Sequence, residues 1–339
     1  MTILVTGGLG YIGSHTVVEL LQNNFEVVII DDLSNTEKFI LKNIEEITGK
    51  KPIFYPFDLK RKELLKQVFD AHKIEGCIHF AAYKAVGESQ VKPIDYYENN
   101  LFSLINLLQE MKERNISNFI FSSSCTVYGQ ADTMPIDENT PLKLPESSYG
   151  KTKQMGEEIL KDFATAHQKK VTLLRYFNPI GAHPSAKLGE LPIGIPNNLV
   201  PYVMQTAAGV REKLSVWGND YPTEDGTAIR DYIYVVDLAK AHVKALQKLL
   251  KMSSDTQVDI YNLGTGKGSS VLEVVHAFEK ANDVAVPYQI CERRAGDITI
   301  AYANADKAEK ELGWKSETSL EEALRTVWQW QKYLETREK

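Results

Sequence analysis

The stretch Thr6–Gly7–Gly8–Leu9–Gly10–Tyr11–Ile12–Gly13 constrains this chain more than any other. It follows Ile3–Leu4–Val5, an apolar run that reads as a buried strand. It opens Tyr11–Leu21, whose Ile12, Val17, Leu20 and Leu21 share one helical face. Strand, glycine turn and helix form the front half of a dinucleotide site. Gly7 permits the tight turn, Gly10 leaves bare backbone against a pyrophosphate, and Gly13 lets the helix lie close on the sheet. The helix N-terminus then offers free N–H groups to phosphate.

The next strand, Phe25–Ile30, ends at Asp31, 18 residues after Gly13. An acceptor for the adenosine ribose hydroxyls belongs about there. Asp32 adjoins it, and the next basic residue is Lys38. Two carboxylates would repel a 2′-phosphate, so the expected cofactor is NAD rather than NADP. The plain alternative is a glycine-rich strand–helix turn with an Asp closing a strand.

The 339 residues suffice for one large domain or two medium ones. A net charge of −6 argues against a general nucleic-acid surface. No apolar run approaches a membrane span. The first strand starts at residue 3, which leaves no room for a signal peptide. Three separated cysteines (77, 125 and 291) suit reduced thiols and a cytoplasmic setting, and neither they nor the seven histidines show a metal-ligand spacing.

Strands and helices alternate through the first half. Strands are expected at Pro52–Phe57, Gly76–Phe80, Asn118–Phe121 and Val171–Arg175, and helices at Arg61–Asp70, Asp95–Arg114 and Ser148–His167. This predicts an α/β fold of Rossmann type, a doubly wound parallel sheet. After Asn178 the chain turns rich in loops, which predicts a smaller C-terminal α/β lobe. The expected division is a cofactor domain over 1–178 and a substrate lobe over 179–339. Within 230–262, Tyr232–Val236 and Asp237–Leu250 are expected to return to the sheet. Ser319–Leu320–Glu321–Glu322 predicts a capped final helix with Leu320, Leu324, Val327 and Trp328 on one side.

A second constellation is Ser122–Ser123–Ser124 at a strand end, followed by Tyr149 and Lys153. Residues four apart on a helix share a face, so Tyr149 and Lys153 can enter one pocket. Turning a phenol into a base near neutrality requires a shift of about three pKa units, about 4 kcal/mol. A nearby ammonium or an oxidised nicotinamide would contribute to that. Of 16 tyrosines only Tyr149 has Lys four residues later. Its place after the glycine fingerprint and the strand-end serines gives the pair its meaning.

With these motifs the chain resembles the extended short-chain dehydrogenase/reductase family. Nearly end to end it is similar to that family's UDP-glucose (UDP-galactose) 4-epimerases. The resemblance is carried by Lys84-Ala-Val-Gly-Glu-Ser89, Ser122-Ser-Ser-Cys-Thr-Val-Tyr-Gly129 and Leu174-Arg-Tyr-Phe-Asn-Pro-Ile-Gly-Ala-His-Pro184. It continues in Gly194-Ile-Pro-Asn-Asn-Leu199, Gly218-Asn-Asp-Tyr-Pro-Thr-Glu-Asp-Gly-Thr227, Arg230-Asp-Tyr232 and Arg293-Arg-Ala-Gly-Asp297. It implies reversible 4-epimerisation of UDP-hexoses with bound NAD, in a homodimer. Tyr149 would take the 4-hydroxyl proton, Ser124 share that oxygen, and Lys153 hold the cofactor ribose and lower the Tyr149 pKa. The matching cofactor positions are Gly7, Gly10, Tyr11, Ile12, Gly13, Asp31, Asp32, Leu33, Ser34, Asn35, Thr36, Asp58, Leu59, Phe80, Ala81, Ala82, Lys84, Asn99, Ser122, Tyr149, Lys153 and Phe177. Those for substrate are Ser124, Asn178, Asn198, Ser215, Val216, Trp217, Arg230, Arg294 and Ala301, with both arginines able to clamp diphosphate.

Two departures sharpen this expectation. Sugar-nucleotide dehydratases of the family carry Asp-Glu where this chain has Cys125 and Thr126, so dehydration is not expected. Many epimerases restricted to plain hexoses place a Tyr where Ala301 falls. The missing ring implies that UDP-N-acetylhexosamines fit too. Two rivals remain, a net oxidoreductase that exchanges its nicotinamide and a silent binding protein of the same fold. Gly264-Thr-Gly-Lys-Gly-Ser-Ser270 lacks phosphate-loop spacing and reads as a structural turn.

Overall fold

The computed structural model describes residues 1–252, 256–294 and 297–337. The first half of the chain gives strands β1 (Thr2–Thr6), β2 (Glu26–Ile30), β3 (Ile53–Tyr55), β4 (Ile74–His79), β5 (Asn118–Ser124) and β6 (Lys170–Tyr176). Between them run helices α1 (Tyr11–Gln22), α2 (Phe39–Thr48), α3 (Lys62–Ala71), α4 (Val86–Val91), α5 (Pro93–Glu113) and α6 (Ser148–His167). The second half adds β7 (Asn178–Ile180), β8 (Leu214–Trp217), β9 (Ile229–Arg230), β10 (Tyr232–Tyr234), β11 (Gln257–Leu263), β12 (Ser269–Ser270), β13 (Tyr288–Cys291) and β14 (Ile300–Ala301). Its helices are α7 (Leu199–Ala207), α8 (Val235–Lys251), α9 (Val271–Asn282), α10 (Asp306–Leu312) and α11 (Leu320–Arg337).

Seven strands form one parallel sheet in the order β11-β6-β5-β4-β1-β2-β3. The order reverses at β1, which pairs β2 on one side and β4 on the other. A crevice for ligands opens at the carboxyl ends of strands flanking such a switch point. Apolar residues cover both faces. Ile3, Val5, Val27 and Ile29 pack with α1 and α8, while Leu4, Val28 and Ile30 pack with α3 and α5. Strands buried on both faces need near-continuous apolar runs, and these have them.

The expected fold class holds, with local differences. Tyr232–Val236 does not enter the large sheet. β10 pairs β7 in a separate two-stranded sheet, and the helix already starts at Val235. The strand that joins the large sheet is β11, beside β6. Helix α2 was not expected from the sequence; its Ile40 and Ile44 face inward, and Gly49 closes it at φ +65°. The Gly264–Ser270 segment is the turn between β11 and α9, where Ser270 and Glu273 form a capping box. Ser319 Oγ accepts the Glu322 N–H at the start of α11, as the capping pattern predicts.

Candidate active site

The glycine turn joins β1 to α1. Gly7 stands at φ +67°, and a Cβ there would lie 2.7 Å from the Ala81 nitrogen. A Cβ on Gly13 would lie 2.1 Å from the Gly7 carbonyl oxygen. At Gly10, by contrast, a Cβ would meet only that same oxygen, at 3.3 Å, and its other side is open. Gly10 is the N-cap of α1 and has no side chain, so it offers no side-chain acceptor to the first N–H groups of the helix.

Asp31 is buried at the end of β2. Its carboxylate accepts the N–H groups of Leu9 and Leu33, both at 3.0 Å. It therefore ties the glycine turn to the β2 exit, a structural task that the sequence did not reveal. Burial raises its pKa, and the backbone bonds pull it down. Asp32 caps Ser34, accepting from its N–H and hydroxyl, and Thr36 donates to the Leu9 carbonyl. Leu33 carries a left-handed backbone at φ +62°, while Asn35 is exposed. Asp58 accepts the Lys60 N–H, and Leu59 is buried beside it. Phe80 extends the β1–β4 pairing by donating its N–H to the Thr6 carbonyl, which brings Ala81 next to Gly7, and Ala82 follows it. Asn99 is buried on α5, and Lys84 is exposed and paired with Glu190 at 2.9 Å.

The chemistry-bearing side chains converge where β5 meets α6. Ser147 caps α6 by accepting the Gly150 N–H at 3.1 Å. This fixes the first turn, which carries Tyr149, and Lys153 follows one turn later. Ser124 ends β5 and accepts from the Thr126 N–H and hydroxyl. Burial pushes the Tyr149 phenol up to about 12, and its hydrogen bond with Ser124 pulls the other way. Burial pushes the Lys153 ammonium down to about 7, opposed by Glu157. The Lys153 Nζ donates to the Ser122 carbonyl at 2.6 Å and lies 5.8 Å from the centre of the Tyr149 ring. In the protein alone burial dominates the Tyr149 phenol, and the Lys153 ammonium is engaged by the Ser122 carbonyl. The Ser122 hydroxyl bonds the Tyr176 hydroxyl, and Phe177 is buried behind them.

Of the residues expected to bind substrate, Asn178, Arg230 and Ala301 are brought together around Asp231 as one wall. Asn178 follows β6, and its N–H donates to the Asp231 carbonyl. Arg230 on β9 stands opposite Ala301 on β14 in parallel register, and its charge reaches Cys125 and Tyr232. Asp231 locks this wall. Its carboxylate accepts the N–H groups of Thr265, Gly266 and Ala303. Asn198 caps no helix with its side chain; it donates to Glu190 at 2.8 Å. Arg294 reaches Asp297 at 2.8 Å, while the intervening Ala295 and Gly296 lie outside the described residues. Ser215, Val216 and Trp217 lie on β8; Val216 points into the core, and Trp217 is exposed.

Comparison with known proteins decides the family. A family model described as GDP-mannose 4,6 dehydratase matches residues 4–327. A curated UDP-glucose 4-epimerase of Bacillus subtilis (strain 168) is 54% identical over 98% of this chain and 97% of its own length. The chain belongs to the UDP-glucose 4-epimerase family. Among solved structures, the UDP-glucose 4-epimerase of Bifidobacterium longum in complex with NAD+ and UDP is 48% identical with a TM-score of 0.95, covering 98% of both chains. The Stenotrophomonas maltophila UDP-glucose-4-epimerase with bound NAD and formylated UDP-arabinopyranose is 45% identical with a TM-score of 0.96, covering 99% of both.

Three residues of this UDP-glucose 4-epimerase family member escaped the sequence reading: Glu157, Glu190 and Asp231. Glu157 could have been found, since it lies eight residues after Tyr149 on the same helical face. Glu190, which receives both Lys84 and Asn198, carries no local signal.

Proposed function

We propose that the chain interconverts UDP-galactose and UDP-glucose through a 4-keto sugar with NAD retained throughout, and that it also accepts UDP-N-acetylhexosamines. The meeting of Ser124, Tyr149 and Lys153 where β5 joins α6, in the sheet whose β1 leads into the glycine cradle, carries this reading. The cradle suits a pyrophosphate, because bare backbone at Gly10 leads into a start of α1 that has no side-chain cap. Bound NAD would accept hydride from sugar C4, return it to the other face, and place a positive ring near the phenol. Asp31 and Asp32 supply acceptors and negative charge for the ribose end.

Tyr149 removes the 4-hydroxyl proton and returns it after the sugar has turned. At about 12 the phenol is neutral on its own at pH 7. Its use as a base requires the added positive charge. Ser124 holds the same oxygen by hydrogen bond. Lys153 keeps an ammonium beneath the pair; that charge is present below about pH 7 and fades above it unless the bound ligands raise its pKa. Cys125 is pushed up to about 12 by burial. Together with the hydroxyl of Thr126 it makes no acid/base pair, which disfavours dehydration despite the name of the matching family model. Arg230 and Arg294 would clamp the diphosphate, and Asn178 and Asn198 would add donors.

The size argument rests on Ala301. It packs with Val127 and Phe177, next to the Ser124 turn. The Tyr302 ring lies on the opposite pleat, within 3.5 Å of where a Gly268 Cβ would stand. Small Ala301, rather than Tyr302, then borders the sugar. Ala301→Tyr is expected to cut kcat/KM for UDP-N-acetylgalactosamine by about 100-fold and leave UDP-galactose within about three-fold, a discrimination typical of steric pockets. Parallel kinetics on both sugars check this; equal losses would sink it.

A homodimer is also proposed. Phe102 and Ile105 on α5 and Met155 and Ile159 on α6 form one outward apolar strip, and Phe102 and Met155 are about half exposed. A second copy of the chain would cover it. Light scattering at micromolar concentration should give twice the chain mass, and Phe102→Glu should give the chain mass. Residence in the cytoplasm is the accompanying expectation, in keeping with three free cysteines. No described helix is long and apolar enough to cross a membrane.

The deciding test is incubation of the purified protein, without added NAD, with UDP-galactose. Formation of UDP-glucose supports the epimerase. Turnover that needs stoichiometric NAD and accumulates NADH supports the oxidoreductase rival. UDP-sugar binding without turnover supports a silent binding protein.

A further inference from the structure

The helical stripe that carries Tyr149 and Lys153 continues to Glu157. These positions, four and eight residues on, face three consecutive serines of β5. Tyr149 meets the Ser124 hydroxyl, Lys153 takes the Ser122 carbonyl, and Glu157 takes the Ser123 hydroxyl at 2.6 Å. Glu157 is wholly buried. Its Oε1 also accepts Nε of Arg175 at 2.8 Å, and its Oε2 accepts Nη2. Arg175, 2% exposed on β6, sends Nη1 to the Tyr128 hydroxyl at 3.0 Å. Tyr128 in turn donates to Asn262 on β11 at 2.7 Å.

Stability does not account for this arrangement. A buried ion pair is often matched or surpassed by apolar residues of the same volume. Placement is the informative feature. The carboxylate sits one helical turn behind Lys153 and is gripped from two neighbouring strands. We propose that Glu157, locked by Arg175, is a positioning residue for the epimerisation: it sets the register of α6 on β5 so that Tyr149 meets Ser124, and it holds negative charge beside the Lys153 ammonium. This rests on the roles proposed above for Tyr149 and Lys153.

The groups facing Lys153 sharpen the electrostatic part. His79 on β4 is buried and held near 3, so it is neutral. Burial raises the phenols of Tyr149 on α6 and Tyr176 on β6, which are neutral too. Arg175 is cationic but turned into Glu157. Among these groups Glu157 supplies the negative charge that pushes Lys153 back up. Without the carboxylate, the Lys153 pKa falls and the ammonium is lost at lower pH. The decline of kcat on the alkaline side must then begin earlier.

The test uses NAD-loaded protein carrying Glu157→Gln, Glu157→Asp, or Glu157→Gln with Arg175→Met. The double variant removes the unpaired buried cation that could unfold the first. Two quantities are read: the pH profile of kcat with UDP-galactose, and the titration of Lys153 by NMR of 13C-labelled lysine. Both Gln variants should move the alkaline limb down by about one pH unit, which is about a ten-fold loss above the limb, with KM within about two-fold. Glu157→Asp should regain part of the shift. A folded Gln variant with the wild-type limb and the wild-type Lys153 titration would overturn the proposal. The NMR titration does not depend on turnover. A shifted Lys153 in a protein that never epimerises would therefore refute the functional reading, and with it the positioning role, and keep only the coupling of Glu157 to Lys153.

Discussion

Tyr149→Phe is expected to lower kcat for UDP-galactose by at least about 10³-fold, near the upper part of what general acid–base catalysis supplies. The change deletes one oxygen and keeps the ring. Ser124 only accepts from Thr126, so its own buried hydroxyl loses the phenol oxygen it donates to. The loss of stability should therefore be about 1–3 kcal/mol. UDP affinity should be unchanged, because the substitution leaves the proposed anchors Arg230 and Arg294 intact. Calorimetry with UDP, a thermal melt and kcat separate these effects. A Phe variant that kept a tenth of the activity would remove Tyr149 from the role of base. The pH dependence has a definite sign. The phenol stands at about 12 in the protein alone, so only ligand charge brings the phenolate into range. Activity of the loaded enzyme should rise with pH through the lowered phenol pKa and fall as Lys153 loses its proton.

Gly13→Ala is expected to remove bound NAD and to destabilise the fold by about 3–5 kcal/mol, the range reserved for strained or overpacked sites. The added methyl would stand 2.1 Å from the Gly7 oxygen and 3.0 Å from the Gly8 Cα. Neither neighbour can yield. Gly7 is fixed by its N–H bond to Ile30 and pressed on Ala81, and Gly8 lies against Ile29. The turn has to open, and with it the cradle. Gly10→Ala is the matching control. Its methyl has open space on one side, so the protein should fold nearly as well, yet present a carbon where phosphate would lie. NAD content after denaturation, measured beside the melting temperature, should fall in both variants, while stability falls mainly in Gly13→Ala.

The comparison of the two glycines also shows what the sequence makes legible. Features built from neighbouring residues could be read directly: the glycine fingerprint, the Tyr149–Lys153 spacing, the capped last helix and the strands buried on both faces. Features set by distant pairing could not. Arg175 sits in an apolar strand and Glu157 on a helix rich in charge, and each alone looks solvated; the bond between them exists only once β6 packs on α6. Asp31 reads as a ribose acceptor, but its bond to Leu9 depends on two loops meeting. Val216 reads as a ligand residue, and pairing of β8 with β13 turns its side chain inward. Which of Ala301 and Tyr302 borders the sugar is decided by the register of β14 on β9, a choice that one residue of slip would invert.

The last helix holds a consequence of another kind. From α11, Trp330 donates to the carbonyl of Glu190, the residue that receives Lys84 and Asn198. Its ring also stacks on Phe39, and Tyr333 donates to Asn43 of α2, 290 residues away in sequence. During synthesis the parallel strands and the glycine turn are complete long before these contacts can form. The cradle thus precedes its outer brace in order of synthesis, and that brace can close on α2 only after residues 320–337 have been made.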